Sequence, residues 1–432
     1  MTLKVALLGC GNVGSQVARI LLDESEELAA RIGVPLELTG IAVRNVDAPR
    51  EGNLPRELFT TDAEALIDGA DVVVELMGGL EPAGTLIQRA LRRGASVVTG
   101  NKALLAARLP ELTGAARDGG AELLYEAAVA GAIPILRPIR ESLAGDHITK
   151  VLGIVNGTTN FILDAMDTHG SQFDDVLAEA QRLGYAEADP TADVAGHDAA
   201  AKAALLASLA FHTTFDLENV HCEGITEISA DDVAGAAESG MVIKLLAIAE
   251  RTTDAEGNEG VNVRVHPTLL SREHPLAAVR GAFNAVFVEA ENAGELMFYG
   301  QGAGGAPTAS AVMGDVVSLA RGLSAGAGGG GEAQPRPTRA LGIEESTTRY
   351  SISLEVTDET GVLAEIAGIF ARHGVSIETM RQTVTADENG GHARLRFITH
   401  SGREAALAST VAEIEQLPVV ETVSSVVRVE GK

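Results

Sequence analysis

The chain has 432 residues, too many for one ordinary domain, and with 46% hydrophobic and 22% charged residues it belongs among soluble globular proteins rather than disordered ones. A formal charge of -27 repels a phosphate backbone, which sets nucleic acid aside as a partner. With Cys10 and Cys222 as the only cysteines, neither a disulfide framework nor a Cys/His zinc site is available. Met1 leads almost at once into the strand-like Lys4 to Leu8, leaving no room for a signal peptide, and no apolar run approaches a membrane span. The expectation is a cytoplasmic protein of two or three domains with no membrane partner.

KVALLGCGNVGSQVARILLD passes from a short apolar run through Gly9, Gly11 and Gly14 into a helical pattern. A GxGxxG between strand and helix is the dinucleotide turn: its glycines, with Asn12 and Val13 among them, let a pyrophosphate approach the helix N-terminus. The next strand, LELTGIAVRN, ends where an NAD site usually has an acid for the ribose hydroxyls. Here stands Arg44, which suits a 2′-phosphate, although a solvated Arg is common after a strand and Asp47 lies just beyond. NADP(H) is therefore favoured over NAD(H).

ADVVVELMGG and ASVVTGNKALL read as parallel strands buried on both faces, separated by the helical EPAGTLIQRALRRG. Ligands sit beyond the carboxyl ends of such strands, which points to Glu75, Gly78 and Gly79 at one end and to Thr99, Gly100, Asn101 and Lys102 at the other. Lys102 is placed to reach the nicotinamide or the substrate; a solvated helix start is the competing reading. AELLYEAAVAGAIPILRPIRESLAG closes this half as a strand, and the turn after Glu126 offers carboxylate and carbonyl oxygens of the kind a hard cation takes. On pattern alone an ordinary strand-to-helix connection is the better explanation.

ITKVLGIVNGTTNFILDAM is a strand entering a helix at NGTTN, where Asn156, Thr158 and Thr159 can cap or bind. In AQRLGYAEADPTADVAGHDAAAKA, from Ala180 to Ala203, Asp198 and Lys202 lie four residues apart on a predicted helix and so share one face. Such a pair is ordinarily a surface ion pair. Here the Ala/Leu-rich continuation predicts burial, and Glu187, Asp189 and Asp193 crowd the preceding loop; a buried Lys among carboxylates is costly unless it has work to do. Strand-like HCEGITEI, NVRVHPTLL and AAVRGAFNAVFVEAEN follow, with MVIKLLAIAER read as an interleaved helix, giving a mixed sheet that suits a substrate and dimerisation domain. Gly302, Gly304 and Gly305 then precede a helix that can return its N-terminus to the nucleotide-binding half, with a plain glycine loop as the alternative. SAGAGGGGEAQPRPTRA has linker composition. After it, strand, helix, strand, strand, helix, strand, with DENGG as the hairpin turn, make a ferredoxin-like βαββαβ module. Its turn at Asp358 to Gly361 suits either a small ligand or a purely structural pairing unit.

The assembled residues resemble the homoserine dehydrogenase family over essentially the whole chain. The run A180-x3-G184-Y185-A186-x2-D189-P190-x2-D193-V194-x-G196-x-D198-x3-K202 looks like the family signature at every fixed position, NGTTN, GNKALLA and GQGAGGAPTA are similar too, and the C-terminal module resembles an ACT regulatory domain. The resemblance implies an α/β enzyme with a Rossmann-type doubly wound sheet, a central α+β domain and the ACT module. The expected boundaries are 1–134 with a returning helix over 303–322, 135–302, a flexible linker over 323–348, and 349–432. It implies reversible NAD(P)H-dependent reduction of aspartate 4-semialdehyde to homoserine, with Lys202 moving the proton and Lys102 assisting. Asp198, Glu187, Gly184, Asp193 and Thr158 would bind substrate. Gly9, Gly11, Asn12, Val13, Gly14, Arg44, Gly78, Thr99, Lys102, Gly302 and Gly304 would contact the dinucleotide. Glu126, Val129, Gly131 and Ile133 resemble the family's monovalent-cation site, for Na⁺ or K⁺. Threonine is the implied ACT ligand and a homo-oligomer, dimer or tetramer, the implied assembly. An inactive amino-acid sensor would be expected to lack Lys102, Lys202 or Asp198, and another amino-acid dehydrogenase the full signature; this chain has them all.

Overall fold

Short, largely apolar and mostly buried runs build a parallel sheet in the order Phe59–Thr60, Leu36–Ala42, Leu3–Leu8, Val72–Glu75, Ser96–Thr99 and Leu123–Leu124, with only the edge strand Phe59–Thr60 half-buried throughout. Numbered along the chain this is 3-2-1-4-5-6, the Rossmann order, whose first strand lies at the middle of the sheet and feeds the glycine turn. The structure, a computed structural model, describes residues 1–50, 53–326, 337–387 and 390–431.

The chain divides into two units. The first comprises Met1–Gly157, Ala201–Leu217 and Phe283–Thr338. Its core joins Val5, Leu7, Val72, Val74 and Val98 of the sheet to Val17 and Leu21 of the helix Asn12–Asp23 and to Val312, Val316 and Leu319 of the helix Gly305–Ser324. The late helix thus packs on the nucleotide-binding sheet. The expected closing strand is only Leu123–Leu124 and gives way to a tight turn at Glu126–Ala128. An antiparallel ribbon of Ile148–Ile154, Phe283–Ala290 and Gly294–Gln301 completes the unit, with Gly294–Gln301 at the sheet edge.

The second unit comprises Thr158–Ala200, Glu218–Ala282 and Arg339–Lys432. Its middle is a long hairpin of Met241–Thr253 and Glu259–Ser271, paired over 13 residues. The first of these was expected as a helix. Its residues are buried without a break from Val242 to Ala249, and a run covered on both faces shows no period by which to tell strand from helix. HCEGITEI contributes only His221–Cys222, on the edge of Glu259–Ser271.

The βαββαβ module has the antiparallel order Val420–Glu430, Thr347–Thr357, Gly390–Thr399, Ile377–Asp387, with the helices Val362–Arg372 and Glu404–Ile414 packed on Ile352, Leu354 and Phe397. Glu388 and Asn389 of the expected hairpin turn lie outside the described residues, as do 327–336 of the linker. The linker's last part is ordered: Ala340–Leu341 pairs with Glu259–Ser271, and Asn262 donates to the carbonyls of Leu341 and Gly342 at 3.0 and 2.8 Å. The module's last strand also pairs in parallel with Glu259–Ser271, setting Thr268 against Arg428 and Leu270 against Glu430. One sheet therefore runs from the module into the middle of the unit.

Candidate active site

The nucleotide end of the first unit is made mostly of backbone. Gly9 holds φ +98°, where a Cβ would stand 2.7 Å from the Leu76 carbonyl oxygen, and Gly14 packs on the Gly9 carbonyl with no room for a Cβ. Gly11 faces open space. Two glycines thus make the turn, and the third leaves the first N–H groups of the uncapped helix Asn12–Asp23 open to a pyrophosphate. A second helix start comes to the same place: Gly304 caps Gly305–Ser324 at φ +124°, and a Cβ on Gly305 would lie 2.9 Å from the Asn12 carbonyl oxygen.

Side chains brace this backbone. Glu75 is fully buried; one oxygen accepts the N–H groups of Met77 and Gly78 at 2.7 and 3.1 Å, and the other accepts the Thr99 hydroxyl at 2.6 Å. Thr99 is expected to contact the cofactor; its hydroxyl donates to Glu75 and accepts the Asn101 N–H at 3.0 Å. Asn101, expected at the ligand end of its strand, donates to the Gly79 carbonyl at 2.7 Å and caps the helix Lys102–Gly119 through the Leu104 N–H. Lys102 stands exposed as the first residue of that helix. Arg44 is exposed beyond Leu36–Ala42 and makes no ion pair among the described residues, whereas Asp47 is paired with Arg56. Arg50, which carries no motif to betray it, donates to the Val46 and Ala48 carbonyls and lies 4.8 Å over the Phe59 ring, fastening the loop that Arg44 begins.

At the Glu126 turn the expected carboxylate ligand is committed elsewhere. Its two oxygens accept the N–H groups of Ile135, Leu136 and Arg137 at 2.6, 2.7 and 2.9 Å, the first donors of the following helical segment. Ala130 and Gly131 adopt φ of +57° and +60°, which turns the chain tightly. The carbonyls of buried Val129, Gly131 and Ile133 accept no hydrogen bond among the described residues, so any cation here would meet carbonyl oxygens. No group of three His, Cys, Asp or Glu side chains among the described residues forms a metal site. Asp315 secures the turn from the returning helix, accepting the Glu126 N–H at 2.8 Å and pairing with Arg137 at 2.5 Å; burial nevertheless raises its carboxyl to about 6.

The helix His197–Ala210 carries both Asp198 and Lys202, each 8% exposed, so the surface ion pair reading gives way to burial. Lys202 lies within the first unit, where its ammonium donates to the Val155 carbonyl at 2.6 Å, at the entrance to NGTTN. In the second unit, the helix Phe173–Leu183 ends at Gly184, φ +79°, with the Tyr185 N–H returning to the Ala180 carbonyl at 2.9 Å. Gly184 therefore has a capping duty that any substrate contact would share. The Thr158 hydroxyl lies 2.6 Å from the Tyr185 carbonyl and 3.2 Å from an Asp193 oxygen, drawing three signature segments together. Glu187 is exposed, its carbonyl held by Gln181 at 3.1 Å, and Asp189 caps Thr191. Asn160, the last residue of NGTTN, is buried against the Lys244 ammonium at 3.0 Å and is structural.

The homoserine dehydrogenase family matches residues 134–317, its NAD binding domain residues 9–126, and the ACT domain residues 350–419. The chain belongs to the homoserine dehydrogenase family. A homoserine dehydrogenase from Corynebacterium glutamicum is 54% identical over 428 residues, covering 99% of this chain and 95% of the relative. The crystal structure of a homoserine dehydrogenase from Thiobacillus denitrificans superposes with a TM-score of 0.91 at 40% identity, covering 100% of this chain and 98% of that one. A hyperthermophilic archaeal homoserine dehydrogenase, solved in complex with NADPH, superposes at 0.62 with 29% identity over 74% of this chain and 98% of that one. The protein is accordingly an oxidoreductase acting on a CH-OH group, with a nicotinamide-dinucleotide domain and a C-terminal ACT domain. No helix among the described residues is long and apolar enough to cross a membrane.

Proposed function

We propose that Lys202 is the proton-transferring group of the homoserine dehydrogenase reaction, in which aspartate 4-semialdehyde and homoserine interconvert. The observation that carries this reading is a buried lysine, pinned to the Val155 carbonyl, one helical turn after a buried aspartate in the family signature. The dinucleotide, when bound, supplies or takes the hydride. As charge grows on the aldehyde oxygen, a fixed ammonium stabilises it and delivers the proton. Asp198, with Glu187 and Asp193, would hold the substrate's amino and hydroxyl groups, Thr158 would steady Asp193, and Lys102 would assist at the nicotinamide side. In the oxidative direction Lys202 must be neutral to accept the alcohol proton. Homoserine oxidation, followed by NADPH formation, should therefore rise from neutral to alkaline pH; a flat profile contradicts the role.

Arg44, exposed and without an ion pair among the described residues, supports NADP(H) over NAD(H), and the archaeal relative was solved with NADPH. The carbonyls of Val129, Gly131 and Ile133, which accept no hydrogen bond among the described residues, together with Glu126 support a site for a monovalent cation, Na⁺ or K⁺, which would hold the turn beside Gly302. The ACT domain is assigned threonine as its inhibitory ligand; activity unchanged in saturating threonine removes that assignment alone. A homo-oligomer is favoured by the edge strand Gly294–Gln301, where Tyr299, 54% exposed, stacks on exposed Phe283.

A further inference from the structure

Glu223 lies outside the family signature, yet the loop around it supports the link between Asp193 and Asp198. Its own N–H is fixed to the Val265 carbonyl at 2.8 Å. From there the Ile225 N–H donates to the Val194 carbonyl at 2.8 Å, and the Cys222 thiol lies 3.4 Å from the Ala195 carbonyl. Gly224 packs on Val194 and Ala195 with no room for a Cβ. Gly196, at φ +84°, would bring a Cβ to 3.0 Å from Cys222 Sγ and 3.2 Å from the Glu223 carbonyl oxygen. The segment 194–196 therefore rests on 222–225, and the helix bearing Asp198 begins at the next residue, His197.

The Glu223 carboxylate bridges its own loop and the C-terminal module. One oxygen meets Arg428 at 2.7 Å and the other His221 at 2.7 Å. Burial opposes its charge, but these two partners hold its carboxyl down at about 2. Arg428, only 11% exposed, is itself clamped: its Nε and Nη2 donate to Glu404 at 2.9 and 2.6 Å, and Glu404 also accepts the Tyr350 hydroxyl at 2.6 Å. Glu404 is the first residue of a module helix, and Arg428 sits on the strand paired to Glu259–Ser271. Removing either end of a half-buried charged contact leaves the other unpaired.

We propose that Glu223 is a positioning residue for the substrate stretch and that the ACT domain holds it in place through Arg428. The ACT domain is on this reading a structural part of the homoserine site as well as a regulatory one, and any rearrangement around Glu404 reaches Asp193 and Asp198 by this contact. The inference rests on the proposal that 184–198 binds homoserine.

The test uses the full-length enzyme with Glu223→Gln, Arg428→Met, the double variant, and the milder Arg428→Lys should Arg428→Met fold poorly. KM for homoserine, KM for the dinucleotide, kcat and thermal midpoint are measured for each. The expected result is a rise of roughly tenfold in the homoserine KM for either single change, with kcat and the dinucleotide KM within about twofold. The double variant should be no worse than the poorer single one, and Arg428→Lys should recover part of the loss. An unchanged homoserine KM, effects that multiply in the double variant, or equal losses in every parameter would overturn the proposal. A homoserine KM that stays at the wild-type value in Asp193→Asn and in Asp198→Asn overturns instead the substrate reading on which the proposal rests.

Discussion

The glycine turn of the first unit and the seam between Glu259–Ser271 and Val420–Glu430 in the second solve opposite problems. At the turn, a charged ligand is to be met by backbone N–H groups, so side chains are absent or turned into struts: Gly9 and Gly14 have no room for a Cβ, and Glu75 and Thr99 bond to each other. At the seam, charge is built in. Arg264 is fully buried and donates to Glu250, Asn262 and Glu430 at 2.8, 2.7 and 3.0 Å, and Arg428 meets Glu223 and Glu404 close by. A backbone site tolerates changes in its surroundings as long as the main chain keeps its path, whereas buried charges hold only as a complete set.

The sharpest way to break that contrast is Arg264→Met, which leaves Glu250 and Glu430 without their shared cation. Removal of one partner from a buried set should cost about 3–5 kcal/mol in urea unfolding, and a loss below about 1 kcal/mol would mean the seam is not held by charge. Asp315 tests the struts of the first unit. Its carboxyl moves from 3.8 up to about 6 on folding, so its protonated form is favoured in the folded state. The stability it contributes is fully present below about pH 3.8 and is lost as pH rises through 6, a span worth roughly 3 kcal/mol at 1.36 kcal/mol per unit. Asp315→Asn should flatten the wild-type decline in stability between these values, as measured by denaturant titration at each pH; an undiminished decline would assign it to other groups. The smallest effect is expected at Arg44, whose change to Ala should raise the NADPH KM by roughly tenfold and leave that for NADH nearly unchanged. Equal effects on both would remove the 2′-phosphate contact.

How much of this was legible in the sequence follows the same division. Gly9, Gly11 and Gly14 announce the turn because their spacing between strand and helix is itself the physics, and the order of apolar runs carried the Rossmann sheet and the βαββαβ module. Asp198 and Lys202 stood out as a charge pair on an apolar helix. The strand Met241–Thr253 was misread because it is buried on both faces and has no period. The seam was illegible for a related reason: Arg428 and Glu430 alternate along a strand as solvated residues do, and nothing local says that a parallel neighbour covers them. Glu126 was found, but its carboxylate was expected to face a cation and instead accepts three N–H groups, a choice set by where the chain returns at 135–137.

Lys202 is the proposed proton-transferring group. Lys202→Ala should lower homoserine turnover by roughly 10²- to 10⁴-fold, the range for loss of a general acid, while NADPH binding followed by fluorescence stays within about twofold of wild type. Turnover at the wild-type rate in that variant would contradict it.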